Sequence, residues 1–288
     1  MMPILRRAGV PVLVDLVDSP YRLVGSAPRT TVLERLAAVT QAAQLIPVMQ
    51  VLLPMTDGVS YISEEDVRAD ADRVRRLPQT YVVPNGIAPQ LAALELVPPP
   101  EDGYLAWLAD WIYPPNQESL RWFLREVAPL LADDVLARVR LFGNGDPFAT
   151  AEADPASTRA AALMGRAGFV QDLVDVYRDA RAVIAPVTRG AGMNNKVLEP
   201  LAAGRDLLTT SVGVRGLSDE VRDVVRLADG GAAFAKEIQE LVTEPWNVPR
   251  AELARKSVSA MSWDRSATIM NVALQEVAVL SVNGPKNR

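Results

Sequence analysis

The chain contains no cysteine and no histidine. It therefore cannot form disulfides, zinc sites with thiolate or imidazole ligands, a thiol nucleophile or a catalytic triad built on imidazole. Any chemistry must use carboxylates, lysine, arginine, backbone amides or groups of the substrate itself. The lack of cysteine fits a reducing compartment. We expect a cytoplasmic protein, or one bound peripherally at the inner face of the membrane.

An excess of positive charge is also missing. The 30 basic residues are outnumbered by 35 acidic ones, which gives a net charge of -5 and a pI near 5.0. A general nucleic-acid binder usually shows a basic face, so we expect no nucleic-acid partner. Arginines and acids mix within 67–77, which is typical of a solvated helix face. The pair Asp70 and Asp72 in this stretch is interpreted as solvated charge and not as a metal site.

Long uninterrupted apolar runs are missing as well. The most apolar region, 36–55, carries three glutamines and two prolines. A membrane-spanning helix takes about 20 nearly uninterrupted apolar residues. We therefore expect a buried or interfacial helix here and not a membrane span. The first 19 residues make a poor signal peptide, because Asp15 and Asp18 break a short apolar run.

What the chain does have is a regular alternation of apolar runs with helical patterns, which indicates an α/β fold with a parallel sheet. A proline-rich, acidic linker at 90–103 separates two sets of predicted strands. The strands are predicted at 11–17, 58–63 and 80–86 before the linker, and at 104–109, 139–143, 167–170, 182–187, 206–211 and 224–229 after it. The second set makes a complete doubly wound domain. The first 103 residues fall short of the roughly 150 of a Rossmann-like half.

The first helix of the second set is predicted at 115–131, with Asn116 as its N-cap. Apolar residues recur along it at helical spacing and predict one buried stripe. The stripe consists of Leu120, Phe123, Leu124, Val127 and Leu131.

The stretch RGAGMNNKVLEPLAAG, 189–204, follows the strand predicted at 182–187 and leads into a helix from about Asn194. Ligands of parallel α/β sheets bind beyond the carboxyl ends of the strands. Gly190 and Gly192 allow backbone amides to turn toward an anion, and a helix N-terminus adds partial positive charge. We interpret the stretch as a phosphate-binding turn.

Lys196 lies in the first turn of that helix, where a cation opposes the helix dipole. A structural lysine favours the other end, so we interpret Lys196 as a phosphate ligand. The alternative is a surface pair with Glu199, worth about 0.2–0.5 kcal/mol. Glu199 shares a helix face with Asn195 and Lys196 and is suited to hold the vicinal hydroxyls of a ribose, or it is one more exposed helix glutamate.

A second glycine turn, GNGDP at 143–147, follows another predicted strand. Gly143 and Gly145 allow close approach of a ligand. The turn lacks the full G-x-G-x-x-G pattern, so it does not by itself indicate a nucleotide.

Together these pieces resemble the family-4 glycosyltransferases, which are retaining enzymes of the GT-B architecture. The motifs YVVPNGI, YPPNQESLRWFLREVAPLL, LFGNGDP and SWD occur in the family's order, and the resemblance runs from 15 to 267. It is most specific over 168–217. It implies a partial N-terminal, acceptor-side Rossmann-like domain with a linker at 1–103. A complete C-terminal, nucleotide-sugar-binding Rossmann-like domain with closing helices would follow at 104–288.

The resemblance also implies an activity. A hexosyltransferase-like enzyme would move a sugar with retention from a nucleotide-sugar donor to a glycan, lipid-linked or small-molecule acceptor, without metal or cofactor. Lys196 resembles the lysine near the donor diphosphate and Glu199 the ribose-binding glutamate; both are expected to be catalytic. The remaining donor-binding residues implied are Gly190, Ala191, Gly192, Met193, Asn194 and Asn195, with Gly143 and Gly145 nearby and Phe169 and Val170 at the base-binding edge.

Departures from the family pattern leave a second hypothesis. Ala191 stands where the family usually has the first glutamate of a pair, and Asp110 adds negative charge near the expected diphosphate. The strands that normally precede 15–22 are missing, so we expect the apolar residues 45–55 to be covered by a partner chain or in a dimer. The alternative function is a non-catalytic remnant that binds a nucleotide sugar or a partner, or one half of a split enzyme.

Overall fold

The computed structural model describes residues 4–5, 8–25, 32–149, 154–190 and 193–283. The strands in these ranges are β1 (Leu13–Val17), β2 (Gly58–Tyr61), β3 (Gln79–Val82), β4 (Tyr104–Leu108), β5 (Val139–Phe142), β6 (Gly165–Gly168), β7 (Ala180–Ala185), β8 (Leu207–Thr209) and β9 (Arg226–Leu227). All of their pairings are parallel, which confirms the predicted α/β architecture.

Helices connect these strands. They are α1 (Pro20–Gly25), α2 (Val32–Pro47), α3 (Glu64–Ala71), α4 (Pro89–Ala92), α5 (Pro114–Trp122), α6 (Asp133–Ala137), α7 (Pro155–Leu163), α8 (Leu173–Asp179), α9 (Asn195–Ala202), α10 (Asp219–Arg222), α11 (Gly231–Thr243), α12 (Val248–Ser257) and α13 (Trp263–Asn283). Both α2 and α5 continue into a wide π-turn and then a 3-10 turn, at Val48–Leu52 and Leu53–Met55 and at Phe123–Val127 and Ala128–Leu130. The predicted long helices thus widen into a π-turn and then tighten into a 3-10 turn, where each carries a proline.

The chain divides into two compact units whose limits differ from the predicted domains 1–103 and 104–288. The first unit holds the described residues of Met1–Gly86 and Met261–Arg288 together with Met193. The second holds those of Ile87–Gly190 and Asn194–Ala260. The predicted linker therefore packs with the second unit, where Leu91 of α4 is fully buried. The closing helix α13 belongs to the first unit.

The first unit is a sheet of order β1-β2-β3. Its core contains Met49, Leu53, Val59, Tyr61 and Val74. Helix α13 packs on the same sheet: a Cβ built on Gly58 would lie 2.6 Å from a methyl group of Val277. Tyr81 also donates a hydrogen bond from its hydroxyl to Glu276 Oε2 at 3.1 Å. These contacts place α13 on the sheet of the first unit, whereas the sequence predicts it within 104–288, because an apolar helix face does not show which sheet it covers.

Helix α2 and its continuation have apolar residues on two sides. Ala38, Met49 and Leu53 are buried. A second set of apolar side chains is exposed, namely Val32, Leu33, Leu36, Val39, Ile46, Val48, Val51 and Leu52. Only part of the predicted partner-covered stretch 45–55 thus faces outward. By length and composition alone Arg35–Met55 could cross a membrane, with a mean hydropathy of 1.6, although we expected no span there.

The interpretation of Asp70 as solvated charge is wrong. Asp70 is fully buried and accepts hydrogen bonds from the hydroxyls of Ser19 and Tyr61, the latter at 2.9 Å. Asp66, one turn earlier, is also buried and forms an ion pair with Arg22 at 3.0 Å. Burial raises the pKa of the Asp70 carboxyl, and the two hydroxyl donors oppose that shift. Helix α3 therefore anchors on β1 and β2 through an internal polar network.

The second unit is a sheet of order β6-β5-β4-β7-β8-β9. Numbered within this unit the order is 3-2-1-4-5-6, that of a complete doubly wound domain. The strand order reverses between β4 and β7. The predicted stripe of α5 and its continuation is buried at all five positions, each at most 3% exposed. Asn116 is not the N-cap: α5 begins at Pro114 with Tyr113 before it, and Asn116 is its third residue.

Gly86→Ala should destabilise the first unit. A Cβ on Gly86 would lie 2.2 Å from the backbone nitrogen of Trp263, and backbone atoms cannot swing away as a side-chain end can. Overpacking of this kind costs about 1–3 kcal/mol. The measurement is the free energy of unfolding in urea. The control is Gly25→Ala, which meets nothing within 4 Å and should be neutral or stabilising by up to ~1 kcal/mol. Equal effects would contradict the close approach.

Candidate functional site

The carboxyl ends of β4 and β7 lie side by side where the strand order of the second unit reverses. Helix α5 begins after β4, and α9 begins after β7. In doubly wound sheets the connections on the two sides of such a reversal run over opposite faces, and a crevice opens between them. The first turns of α5 and α9 border this crevice. The first turn of α5 offers no free N–H group, because Pro114 and Pro115 lack one and the Asn116 amide donates to the Tyr113 carbonyl at 3.0 Å.

Lys196 lies in the first turn of α9 and is partly buried. Its ammonium donates a hydrogen bond to Asn116 Oδ1 of α5 at 2.8 Å. Burial lowers the pKa of Lys196 to about 8. The described residues show no ion pair of Lys196 with any carboxylate, Glu199 included. The surface-pair alternative therefore does not describe this lysine.

Glu199 lies one turn further along α9 and is also partly buried. Its Oε2 accepts a hydrogen bond from the hydroxyl of Tyr177 at 3.1 Å. Burial raises the pKa of Glu199, and the bond from Tyr177 lowers it in part. Glu199 is therefore a half-buried carboxylate that accepts a hydrogen bond from a hydroxyl group. The alternative that it is an exposed helix glutamate does not describe it.

The position of Tyr177 is fixed by a hydrogen bond to its backbone. It is fully buried on α8, and its backbone carbonyl accepts a hydrogen bond from Arg205 Nε at 2.6 Å. Arg205 is buried too and donates to the carbonyls of Val97 and Arg178, each at 3.0 Å. The guanidinium thus ties the end of α8 to the chain that follows α9, which holds Tyr177 beside Glu199.

The glycines predicted to bind the donor differ in the reason why each position needs a glycine. Gly143 has a φ of +130°, and a Cβ on it would lie 1.7 Å from the carbonyl oxygen of Ala109. Gly143 therefore lets the turn after β5 pack on the turn after β4. Gly190 has a φ of +154° and would meet nothing within 4 Å, so its Cα faces open space next to the crevice. Gly145 has a φ of +88° and packs on Ile112.

The other predicted donor-binding residues are spread more widely. Phe169 and Val170 follow β6, the edge strand, and the Phe169 side chain is 75% exposed. Asn194 precedes α9 and donates from Nδ2 to the carbonyl of Gly213 at 3.2 Å. Asn195 has a buried Oδ1 without a hydrogen-bond partner. Met193 groups with the first unit, where its carbonyl accepts from Asn85 Nδ2 at 3.3 Å. Ala191 and Gly192 lie outside the described residues.

Sequence reasoning did not place Asn116 or Tyr177 at this site. Asn116 had the signal of a helix start but no signal of a contact with Lys196, which is 80 positions away. Two further pairs join α5 to the chain after β7. Arg189 binds Glu118 at 2.9 Å, and the hydroxyls of Ser119 and Thr188 lie 3.2 Å apart.

The buried charge of Glu199 gives a pH-dependent prediction. Its raised pKa means that the folded protein holds this proton more tightly than the unfolded chain. The unfolding free energy of the wild type therefore falls as the pH rises through that pKa, whereas Glu199→Gln, which keeps an acceptor for Tyr177, lacks this loss. The stability of Glu199→Gln relative to wild type should increase between about pH 4 and about pH 8, measured by urea unfolding.

The matched control is Glu252→Gln, since Glu252 is exposed on α12 of the same unit. That variant should follow the wild type at both pH values. A Glu199→Gln advantage that stays constant or shrinks with rising pH would contradict the burial of this carboxylate.

Residues 103–244 match the family model of the glycosyl transferases group 1. This range contains the whole sheet of the second unit and the crevice with Asn116, Lys196 and Glu199. No sequence among the curated proteins matches the chain.

Solved structures resemble the chain over nearly its full length. Sucrose-phosphate synthase of Thermosynechococcus elongatus aligns with a TM-score of 0.63 and 16% identity, over 92% of this chain and 67% of its own. α,α-Trehalose 6-phosphate synthase of Burkholderia multivorans gives 0.63 and 14%, over 100% and 70%. HepE of Anabaena, solved in complex with UDP, gives 0.60 and 15%, over 97% and 75%. The chain therefore has the GT-B fold, and its residues 103–244 resemble the group 1 glycosyltransferases, a family of enzymes that transfer sugars from nucleotide-sugar donors.

Proposed function

We propose that the crevice of the second unit holds a nucleotide-sugar donor and that the sugar is transferred, with retention and without a metal ion, to a hydroxyl of a glycan acceptor. The observation that carries the proposal is the state of Lys196. Its ammonium lies at the strand-order reversal and is bound by a neutral amide, so its charge remains for an anionic ligand.

Each part of the donor has a counterpart in this crevice. The diphosphate would bind the Lys196 ammonium and the backbone N–H groups of Asn195 and Lys196 at the start of α9, approached across the open Cα of Gly190. The ribose hydroxyls would donate to Glu199, which has lone pairs beyond the one used by Tyr177. The base would lie toward Phe169 and Val170. The exposed Phe169 ring supports this placement, because it offers a free face for stacking.

The chemistry fits a chain without histidine. In a same-face transfer the departing phosphate can accept the proton of the attacking hydroxyl, so the protein need not supply a general base. What it supplies is preorganised positive charge where negative charge develops on the leaving diphosphate, and a fixed orientation of the donor. Lys196 would provide that charge, and an anion beside it would favour its protonated form.

Calorimetric titration with nucleoside diphosphates (UDP, GDP, ADP and dTDP) and with UDP- and GDP-sugars tests the donor site. We expect wild type to bind at least one of them. Lys196→Met and Glu199→Ala should each weaken that binding by about tenfold or more, because each loses a hydrogen bond to a charged group. Tyr177→Phe removes only the hydroxyl that orients Glu199 and should weaken binding less than Glu199→Ala.

Product formation separates the two functions considered from the sequence. Release of nucleoside diphosphate from a bound donor sugar on addition of a glycan acceptor supports the transferase. Binding without release under any acceptor supports the non-catalytic remnant or a half enzyme. If the wild-type protein binds none of the nucleotides, the proposal of a donor site is contradicted.

We also propose that the exposed apolar side chains of 45–55 are covered by a second copy of this chain. Ile46, Val48, Val51 and Leu52 expose between 39% and 58% of their surface, which is a clustered apolar area of the kind found at interfaces. Sedimentation should show a dimer for wild type and a monomer for the double variant Ile46→Lys, Val51→Lys. The control is Leu253→Lys, an equally exposed apolar residue on α12. A monomeric wild type contradicts this proposal.

A further inference from the structure

Asn116 and Lys196 face each other across the strand-order reversal of the second unit. Asn116 is the third residue of α5, and Lys196 is the second residue of α9. Asn116 is 9% exposed, although α5 begins at the surface. The 2.8 Å bond between its Oδ1 and the Lys196 ammonium spans the crevice in which the diphosphate is proposed to bind.

The orientation of the Asn116 amide is determined by its second partner. Its Nδ2 donates to the backbone carbonyl of Asp110, after β4, at 2.7 Å. A flipped amide would set the NH2 group against the ammonium, donor against donor, and the two oxygens against each other. The oxygen therefore points to Lys196, and the carbonyl of Asp110 holds it there.

The carboxylates near the start of α5 have other partners. Asp110 accepts a hydrogen bond from the backbone nitrogen of Ile112 at 3.2 Å, within its own turn. Glu118 is paired with Arg189 at 2.9 Å. The group that fixes Lys196 is thus a neutral amide, although two carboxylates lie in the same segment. A neutral partner fixes the ammonium without cancelling its charge.

The remaining capacity of Lys196 points to an anion. An ammonium has three donors, and Asn116 takes one of them. Within the described residues no carboxylate forms an ion pair with Lys196, and burial lowers its pKa.

We propose that Asn116 is a positioning residue for the donor diphosphate: it fixes the Lys196 ammonium across the crevice and leaves its charge free for the phosphate oxygens. This inference rests on the proposed donor site. The conventional role for an asparagine at a helix start would be to cap the helix, and Asn116 makes no such bond.

A double-mutant cycle tests the inference. The ligands are the nucleoside diphosphate that wild type binds and the corresponding nucleoside, titrated by calorimetry against wild type, Asn116→Ser, Lys196→Met and the double variant. Asn116→Ser should lose about tenfold in affinity for the diphosphate and nothing for the nucleoside. In the Lys196→Met background the same change should cost nothing further, because Asn116 acts through Lys196.

Two more variants serve as controls for the double-mutant cycle. Asn116→Asp keeps the side-chain shape but supplies a carboxylate to Lys196, and it should weaken diphosphate binding more than Asn116→Ser does. Gln117→Leu removes the neighbouring amide, which donates to the Trp111 carbonyl at 2.6 Å and to the Asp146 carbonyl at 3.3 Å. It reports on loosening of the start of α5 and should bind both ligands like wild type.

The outcomes separate cleanly. Additive losses in the cycle, equal losses for nucleoside and diphosphate, or the same loss in Gln117→Leu would each overturn the role of Asn116 while leaving the donor site intact. No binding of any nucleoside diphosphate by wild type would overturn the donor site and this inference together. If Asn116→Ser does not reach the wild-type melting temperature, Asn116→Thr, which likewise brings no charge, completes the cycle with Lys196→Met.

Discussion

The reversal of strand order between β4 and β7 is the constraint on which the site depends. Because the connections on its two sides run over opposite faces of the sheet, the helix starts after β4 and β7 border the crevice. Three pairs of side chains join the two sides: Asn116 with Lys196, Glu118 with Arg189 and Ser119 with Thr188. All three come from a single turn of α5, so the geometry of that turn sets the width of the crevice.

Burial shifts the pKa values of the two ionisable groups of α9 in opposite directions, and both shifts have the same physical cause. It lowers the pKa of Lys196 and raises that of Glu199, so in both cases the charged form is disfavoured. Neither group is relieved by the other, because each has its own neutral partner, an amide or a phenol. A fold selected for stability alone would favour apolar or exposed residues here. The free-energy cost of burying these two charged groups is of the kind that binding sites retain, although it lowers the stability of the fold.

Much of this could be predicted because the signals were local. The glycines, the start of α9 and the lysine whose charge opposes the helix dipole all lie within 189–199. The apolar stripe of α5 repeats at helical spacing. What could not be predicted depends on contacts between distant segments. Asn116 has the composition of a helix cap, and only the folded sheet brings it to Lys196. Asp70 lies among arginines and looks solvated, yet Ser19 and Tyr61 enclose it. Gly143 resembled a ligand turn, whereas its missing Cβ makes room for the carbonyl of Ala109.

The packing of α13 on the first sheet has a consequence for how the protein is made. The chain leaves the first unit at Gly86, builds the second unit, and returns at Met261. On the ribosome, the sheet of the second unit is therefore complete before the helix that covers Gly58 and Tyr81 has been synthesised. Domains generally fold as units and in order of synthesis. The face of the first sheet around Gly58 and Tyr81 therefore stays without α13 until the second unit has been synthesised, so the first unit is completed only after the second.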